Sequence, residues 1–234
     1  MILKIKELKF KYTENTQNVL EIPSFTLESG EKVFLYGPSG CGKTTFLEIL
    51  AGVIVPQSGE VIISEVDLVK MSPAERDKFR ADHLGYIFQS FNLIPYLNVI
   101  ENITLPLYLS TYKREKISLN NEYIKAKELC HSLGLEDCIL KNVTELSVGQ
   151  QQRVAAARAI LGTPKLILAD EPTSALDYDH REKFIELLFK LCKMHKISLL
   201  FVSHERSLQK LFDRSVSLNE INRIKTNNEN FSLT

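Results

Sequence analysis

Eight consecutive residues, Gly37-Pro38-Ser39-Gly40-Cys41-Gly42-Lys43-Thr44, hold the densest chemistry in the chain. They fit G-x-x-x-x-G-K-[ST], a pattern in which glycines let backbone N–H groups turn in on phosphate oxygens. A helix starting at the end of the loop adds partial positive charge at the same place. There Lys43 can reach the β- and γ-phosphates of a nucleotide, and the Thr44 hydroxyl can ligate Mg²⁺. Cys41 sits inside the loop, where the position mainly offers backbone, so no redox role is read from it. A second site, Asp170-Glu171, ends the apolar run Leu166-Ile167-Leu168-Ala169. Neighbouring side chains of a strand diverge, so the first acid can hold a metal's water shell while the second faces an attacking water as general base. Alone, such a pair is commonly just solvated. A phosphate loop in the same chain gives it a use.

Both sites need rigid carriers. Lys32 to Tyr36 reads as a strand leading into the loop, and Lys43 to Ala51 as a helix leaving it, with Phe46, Leu47, Ile49 and Leu50 inward. Leu166 to Asp170 and Ile197 to Ser203 read as buried strands, with a helix over Arg181 to Lys193 between them. Strands alternating with helices predict an α/β fold, a P-loop NTPase core of mostly parallel sheet flanked by helices. Ahead of it, two short strands flank a polar turn (Thr13 to Asn18), a third lies near Phe25 to Leu27, and Glu60 to Ile63 follows a turn at Pro56 to Gly59. These make an N-terminal antiparallel β subdomain. From about Phe91 to Gln152 helical signals take over, and Tyr123 to Leu133 places Ile124, Leu129 and Leu133 on one face, with Gly134 as its stop. The expected division is one domain over 1–225, with core and β subdomain in 1–90 and 155–225, a helical lobe over about 91–154, and a polar, frayed tail over 226–234.

With 234 residues, the chain has room for one domain with a substantial core. Lys and Arg (29) balance Asp and Glu (29), so no global charge points to nucleic acid or an anionic membrane surface. The apolar runs are far short of the roughly 20 residues that cross a bilayer, and Met1 to Phe10 alternates like a strand, unlike a signal peptide. The expected location is therefore cytoplasmic. Cys41, Cys130, Cys138 and Cys192 show no metal or disulfide spacing.

Further motifs carry a resemblance. Leu146-Ser147-Val148-Gly149-Gln150 resembles the signature motif of the ATP-binding cassette (ABC) family, followed by Gln151-Gln152-Arg153 and a helix. Gln89 in Tyr86-Ile87-Phe88-Gln89-Ser90 matches the family's Q-loop, Asp177 in Ser174-Ala175-Leu176-Asp177 its D-loop, and His204 its switch histidine. Tyr12 falls where the family stacks an aromatic ring on adenine. Each piece alone is weak; all of them in order, with the phosphate loop and Asp170-Glu171, are specific. The resemblance implies an ATPase using ATP and Mg²⁺, in which two cassettes face each other head to tail. Ser147, Gly149 and Gln150 of one copy would then close on the γ-phosphate held by the other copy's loop and Thr45. It further implies Glu171, His204 and Lys43 as catalytic residues, and Thr44, Gln89 and Asp170 as metal ligands. The signature departs from the usual pattern at Val148, where the family has glycine. A β-branched residue there restricts the backbone and puts the closing rate in question.

Gly85 to Pro95 and Glu101 to Leu107 are similar to a bacterial subgroup that includes lipoprotein-release, macrolide-efflux and cell-division ATPases. That likeness implies an integral-membrane permease with few spans and a large external domain as partner, placing this chain on the inner face of the membrane. Phe91 to Tyr108 is unusually apolar for a surface loop. Part of it is expected to pack inside the helical lobe and part to line a groove for a partner's short helix. One complete motif set makes a homodimer of cassettes the simpler assembly. The competing reading is a cassette ATPase that recruits partners or acts on nucleic acid or ribosomes; neutral charge and the lack of a second cassette or coiled-coil insertion argue against the last two.

Overall fold

The computed structural model describes residues 1–13, 17–117 and 121–224, so positions 14–16 of the Thr13–Asn18 turn and the tail over 226–234 lie outside the described residues. The strands are β1 (Leu3–Phe10), β2 (Leu20–Leu27), β3 (Lys32–Tyr36), β4 (Ser58–Ile63), β5 (Val66–Asp67), β6 (Leu84–Ile87), β7 (Leu166–Asp170), β8 (Ser198–Val202) and β9 (Arg214–Ser217). The α-helices are α1 (Lys43–Leu50), α2 (Pro73–His83), α3 (Val99–Leu109), α4 (Thr111–Ile117), α5 (Glu122–Ser132), α6 (Val148–Ile160), α7 (Tyr178–His195) and α8 (Leu218–Ile221).

Five strands form a parallel sheet in the order β6-β7-β8-β3-β9. Burial on both faces explains why β7 and β8 read as unbroken apolar runs. The antiparallel sheet β2-β1-β4-β5 lies beside it. Phe25 to Leu27 is the end of β2 rather than a third strand. Pro23 looks like a breaker in sequence, but β2 is the sheet's edge, where a missing N–H costs no ladder bond.

Two cores fill the space between layers. One joins the antiparallel sheet and α1 to one face of the parallel sheet through Phe46, Leu47, Val33, Leu35, Leu166 and Leu200. The other joins the opposite face, through Phe34, Ile87, Ile167 and Phe201, to α3, α5, α6 and α7. On α5 the buried face is Ala126, Leu129 and Cys130, with Leu133 following. Ile124 is 51% exposed and not part of it, because two residues before Ala126 is about 200° around the helix. Gly134 follows at φ +63°, as expected of a helix stop.

Helix α2 is charged nearly throughout and buries only Phe79 and Asp82, so it leaves no apolar stripe to read. Its start is nonetheless written in Ser72-Pro73-Ala74-Glu75: the Ser72 and Glu75 side chains cap each other's N–H groups, with Pro73 at the first helical position. β6 is only four residues long and carries Gly85 because a Cβ there would stand 2.4 Å from the Ala159 carbonyl oxygen.

Candidate functional site

β3 ends at Tyr36, and the next residues bend into the loop that α1 leaves at Lys43. Gly42 caps α1 at φ +97°, a backbone that only glycine adopts cheaply, and its missing Cβ also spares a 2.9 Å clash with Leu20. The Lys43 ammonium donates to the carbonyls of Gly37 (2.9 Å) and Pro38 (3.0 Å), which hold it across the loop. Cys41 is 1% exposed and packs behind the loop, its Sγ 2.6 Å from where a Gly37 side chain would begin. Burial pushes its thiol pKa up, against the pull of Lys43.

One concavity of about 440 Å³ gathers Tyr12, Ser39, Gly40, Gly42, Lys43, Thr44, Thr45, Gln89, Asp170 and Glu171, together with Val19. The Tyr12 hydroxyl and Thr45 Oγ1 are 2.9 Å apart, and the Tyr12 ring stands edge-on to Phe10 at 4.9 Å. Sequence reasoning missed Val19, an ordinary apolar residue placed by its N–H bond to the Phe10 carbonyl at 2.8 Å, just before β2.

β7 delivers Asp170 at the sheet's end, where its Oδ2 accepts from the Thr44 hydroxyl at 3.2 Å. Burial holds the Asp170 carboxyl above its usual range; Glu171 and Glu48 push the same way, while Thr44 and Lys43 oppose. Thr44, Gln89 and Asp170 offer hard oxygen donors to the same concavity, a set that suits Mg²⁺. Next in chain, Glu171 takes φ +43°, a left-handed backbone that costs a non-glycine residue on the order of 1–3 kcal/mol and persists only where neighbours hold it. Its N–H donates to the Val202 carbonyl (2.9 Å), and its carbonyl accepts from the Ser174 N–H (3.1 Å). Glu171 Oε2 stands 3.0 Å from His204 Nδ1. The carboxylate is thereby aimed by β7, β8 and His204, two residues beyond β8.

Ser147, Gly149, Gln150 and Asp177 do not line this concavity. Ser147 caps α6: its Oγ accepts from Gln150 N at 3.3 Å, and the Gln150 side chain accepts from Ser147 N at 3.0 Å. Val148 is the first residue of α6 and is 46% exposed. Its backbone is right-handed, so the site makes no use of the conformations a valine forbids. Asp177 caps α7, accepting from His180 N, and hydrogen bonding to His180 holds its carboxyl below the usual range.

α6 is also tied to both loops that reach the concavity. Gln152, 1% exposed, donates through Nε2 to the Pro172 carbonyl at 2.7 Å. Arg158 donates to the carbonyls of Phe91 and Asn92 at 2.6 Å each, gripping two left-handed residues just beyond Gln89. Arg181 donates to the Leu176 carbonyl at 2.7 Å and pairs with Glu205, the neighbour of His204. The run Gln150-Gln151-Gln152 was visible in sequence, but nothing there said which glutamine points inward.

On another side, a cleft of about 280 Å³ is lined by Tyr86, Phe88, Ile94, Leu105, Leu109, Arg80, Lys113 and Arg158. In the apolar segment before it, Phe91, Val99 and Leu107 are buried, whereas Tyr96 and Tyr108 are exposed. Among the described residues no helix is long and apolar enough to cross a membrane.

Comparison with known proteins agrees with this geometry. A family described as ABC transporter matches residues 20–174. The lipoprotein-releasing system ATP-binding protein LolD of Psychrobacter arcticus is 38% identical over 93% of this chain and 95% of its own length. A putative hemin import ATP-binding protein, HrtA of Staphylococcus epidermidis, is 36% identical over 93% and 96% respectively. Among solved structures, the ATP-binding cassette MJ0796, dimeric in a post-hydrolysis state bound to ADP and Pi, superposes with a TM-score of 0.81 at 35% identity, covering 92% of this chain and 94% of its own.

Proposed function

We propose, because the chain belongs to the ABC transporter family, that it drives a membrane permease by closing and opening a pair of cassettes around ATP. The family fixes the coarse activity: the chain is an ATP-binding subunit and an ATPase. The finer reading rests on one observation. A single concavity gathers Tyr12, the phosphate loop, Gln89, Asp170 and Glu171, with His204 hydrogen-bonded to Glu171.

In this reading residues 1–225 act as one cassette domain. Tyr12 stacks on adenine, backbone N–H groups of Ser39 to Thr44 cradle the phosphates, Thr45 supports them, and Lys43 neutralises charge on the β- and γ-oxygens. Thr44, Asp170 and Gln89 would hold Mg²⁺, which when bound would screen the phosphate charges. Glu171 takes a proton from water as the water's oxygen attacks the γ-phosphorus, the bond to the β–γ bridging oxygen breaks, and ADP and phosphate leave. His204, already beside Glu171, keeps water and γ-phosphate in line.

Ser147, Gly149 and Gln150 stand at the N-terminus of α6, outside their own chain's concavity, which suits contact with the γ-phosphate held by a second copy. Asp177, which caps α7, likewise stands outside the concavity and is free to face the second copy. The dimeric state of MJ0796 with ADP and Pi supports this arrangement. Hydrolysis then removes the γ-phosphate that joins the copies, and the pair opens. The cleft beside Tyr86 and Phe88, just before Gln89, is suited to a short helix of the permease, so a movement of Gln89 would reach the partner through one loop. The chain itself sits on the inner face of the membrane, held by that permease and not by nucleic acid or lipid.

The test is to tag Glu171→Gln in native cells, solubilise membranes with ATP, and identify by mass spectrometry what co-purifies. Recovery of a few-span permease with a large external domain supports the reading. Recovery of soluble chains, ribosomes or DNA alone overturns it.

A further inference from the structure

We propose that Gln152 is a positioning residue that links the two ends of catalysis within one chain: it transmits the placement of Ser147 to the backbone that aims Glu171. The inference rests on the dimer reading above, in which Ser147 serves the partner's nucleotide while Glu171 serves its own.

Three observations carry it. Gln152 lies on α6, five residues after the Ser147 cap, and is 1% exposed. Its Nε2 donates to the carbonyl of Pro172, the residue directly after Glu171, at 2.7 Å. Glu171 itself has φ +43°, so its orientation persists only while neighbours hold it. Two of the holding bonds are local to the loop and the adjacent strand, from Glu171 N to Val202 O and from Ser174 N to Glu171 O. The bond from Gln152 comes from the signature helix. The first turn of α6 also passes near the same loop, close enough that a Cβ on Gly149 would lie 3.9 Å from Leu176 Cδ2. When Ser147 docks on the partner's γ-phosphate, α6 shifts or stiffens as a rigid rod, and Gln152 passes that displacement to the Pro172 peptide. Glu171 in one site is thereby placed by occupancy of the other.

Gln152→Met keeps the length of the side chain and removes the donor. We expect kcat for ATP to fall at least tenfold, the scale on which a small misplacement of a catalytic group acts, with KM for ATP changed less than threefold and melting temperature lowered by a few degrees, since the buried Pro172 carbonyl loses its donor. In the Glu171→Gln background, Gln152→Met should lower the residual single-turnover rate less than twofold, since a positioning residue has nothing left to position. Equal losses in both backgrounds, or a wild-type kcat in Gln152→Met, overturn the inference. If Gln152→Met fails to fold, Gln152→Leu is read by the same pair of rates. Size-exclusion chromatography of Glu171→Gln with ATP separates the two levels. A monomer there removes the dimer reading and this inference with it, whereas a dimer combined with additive losses removes the inference alone.

Discussion

Lys113, in the cleft beside the Gln89 loop, allows the packing of this region to be tested by number. It is 3% exposed, and its stem packs so closely on the backbone of Gly162 that a Cβ there would stand 2.7 Å from Lys113 Cγ. The ammonium donates to the Leu84 carbonyl at 2.9 Å. Burial pushes its pKa down from 10.5 to about 8, against the attraction of Asp82 and with help from Lys116. At about 1.4 kcal/mol per pH unit, the gap costs the folded state about 3 kcal/mol wherever the lysine is charged in both states, below about pH 8. As pH rises through 8 the folded protein gives up the proton first and the cost is relieved, by about 1.4 kcal/mol at pH 9. The protein as a whole will not display that rise cleanly. Burial pushes the thiols of Cys130 and Cys192 up from 9.0 to about 12, so from pH 9 upward they draw stability the other way. The signal is therefore the difference between wild type and Lys113→Met, which keeps the stem, removes the charge and loses a hydrogen bond worth about 1 kcal/mol. In urea unfolding, Lys113→Met should exceed wild type by about 2 kcal/mol at pH 7 and by less than about 1 kcal/mol at pH 9. A difference that stays flat between those pH values, or a variant weaker than wild type at pH 7, refutes the reasoning.

Other outcomes follow from the same geometry. Gly85→Ala would drive a Cβ to 2.4 Å from the Ala159 carbonyl oxygen, so we expect a loss of about 1–3 kcal/mol in thermal or urea unfolding. Asp170 has its carboxyl held above the usual range by burial, so its proton returns at a higher pH than an ordinary aspartate's. Nucleotide binding with Mg²⁺, followed by a fluorescent ATP analogue, should weaken on acidification before the Asp range is reached. Asp170→Asn should melt above wild type at pH 7, with the gap closing as pH falls through the folded pKa. Val148→Gly should leave steady-state ATPase activity within about threefold, because Val148 is exposed and helical at the first position of α6, and a glycine there adds only about 1 kcal/mol of helix cost.

Much of this molecule could be read from residues in order. The strand Lys32–Tyr36, the helix from Lys43 and the strand Leu166–Asp170 fall where periodicity and the phosphate pattern put them, because each is a buried element with an uninterrupted apolar signal. α2 escaped because it buries only Phe79 and Asp82, and β6 because four residues around a glycine carry too little pattern. Spacing to Leu129 and Leu133 points Ile124 inward, whereas Ala126, too small to register as a core signal, marks the buried face. At the site, the motif residues were visible as chemistry. The residues that aim them were not: Gln152 and Arg158 bond to carbonyls 20 and 66 or 67 residues away, and Arg181 pairs with Glu205, 24 residues on, and contacts so far apart in sequence leave no local trace.

The most direct test of the account is a structure of the Glu171→Gln chain with ATP and Mg²⁺. The account predicts two copies head to tail, each nucleotide lying between the phosphate loop of one copy and Ser147 and Gly149 of the other, with the Glu171→Gln side chain facing the γ-phosphate. A nucleotide held by one chain alone, with the N-terminus of α6 still open to solvent, would contradict it.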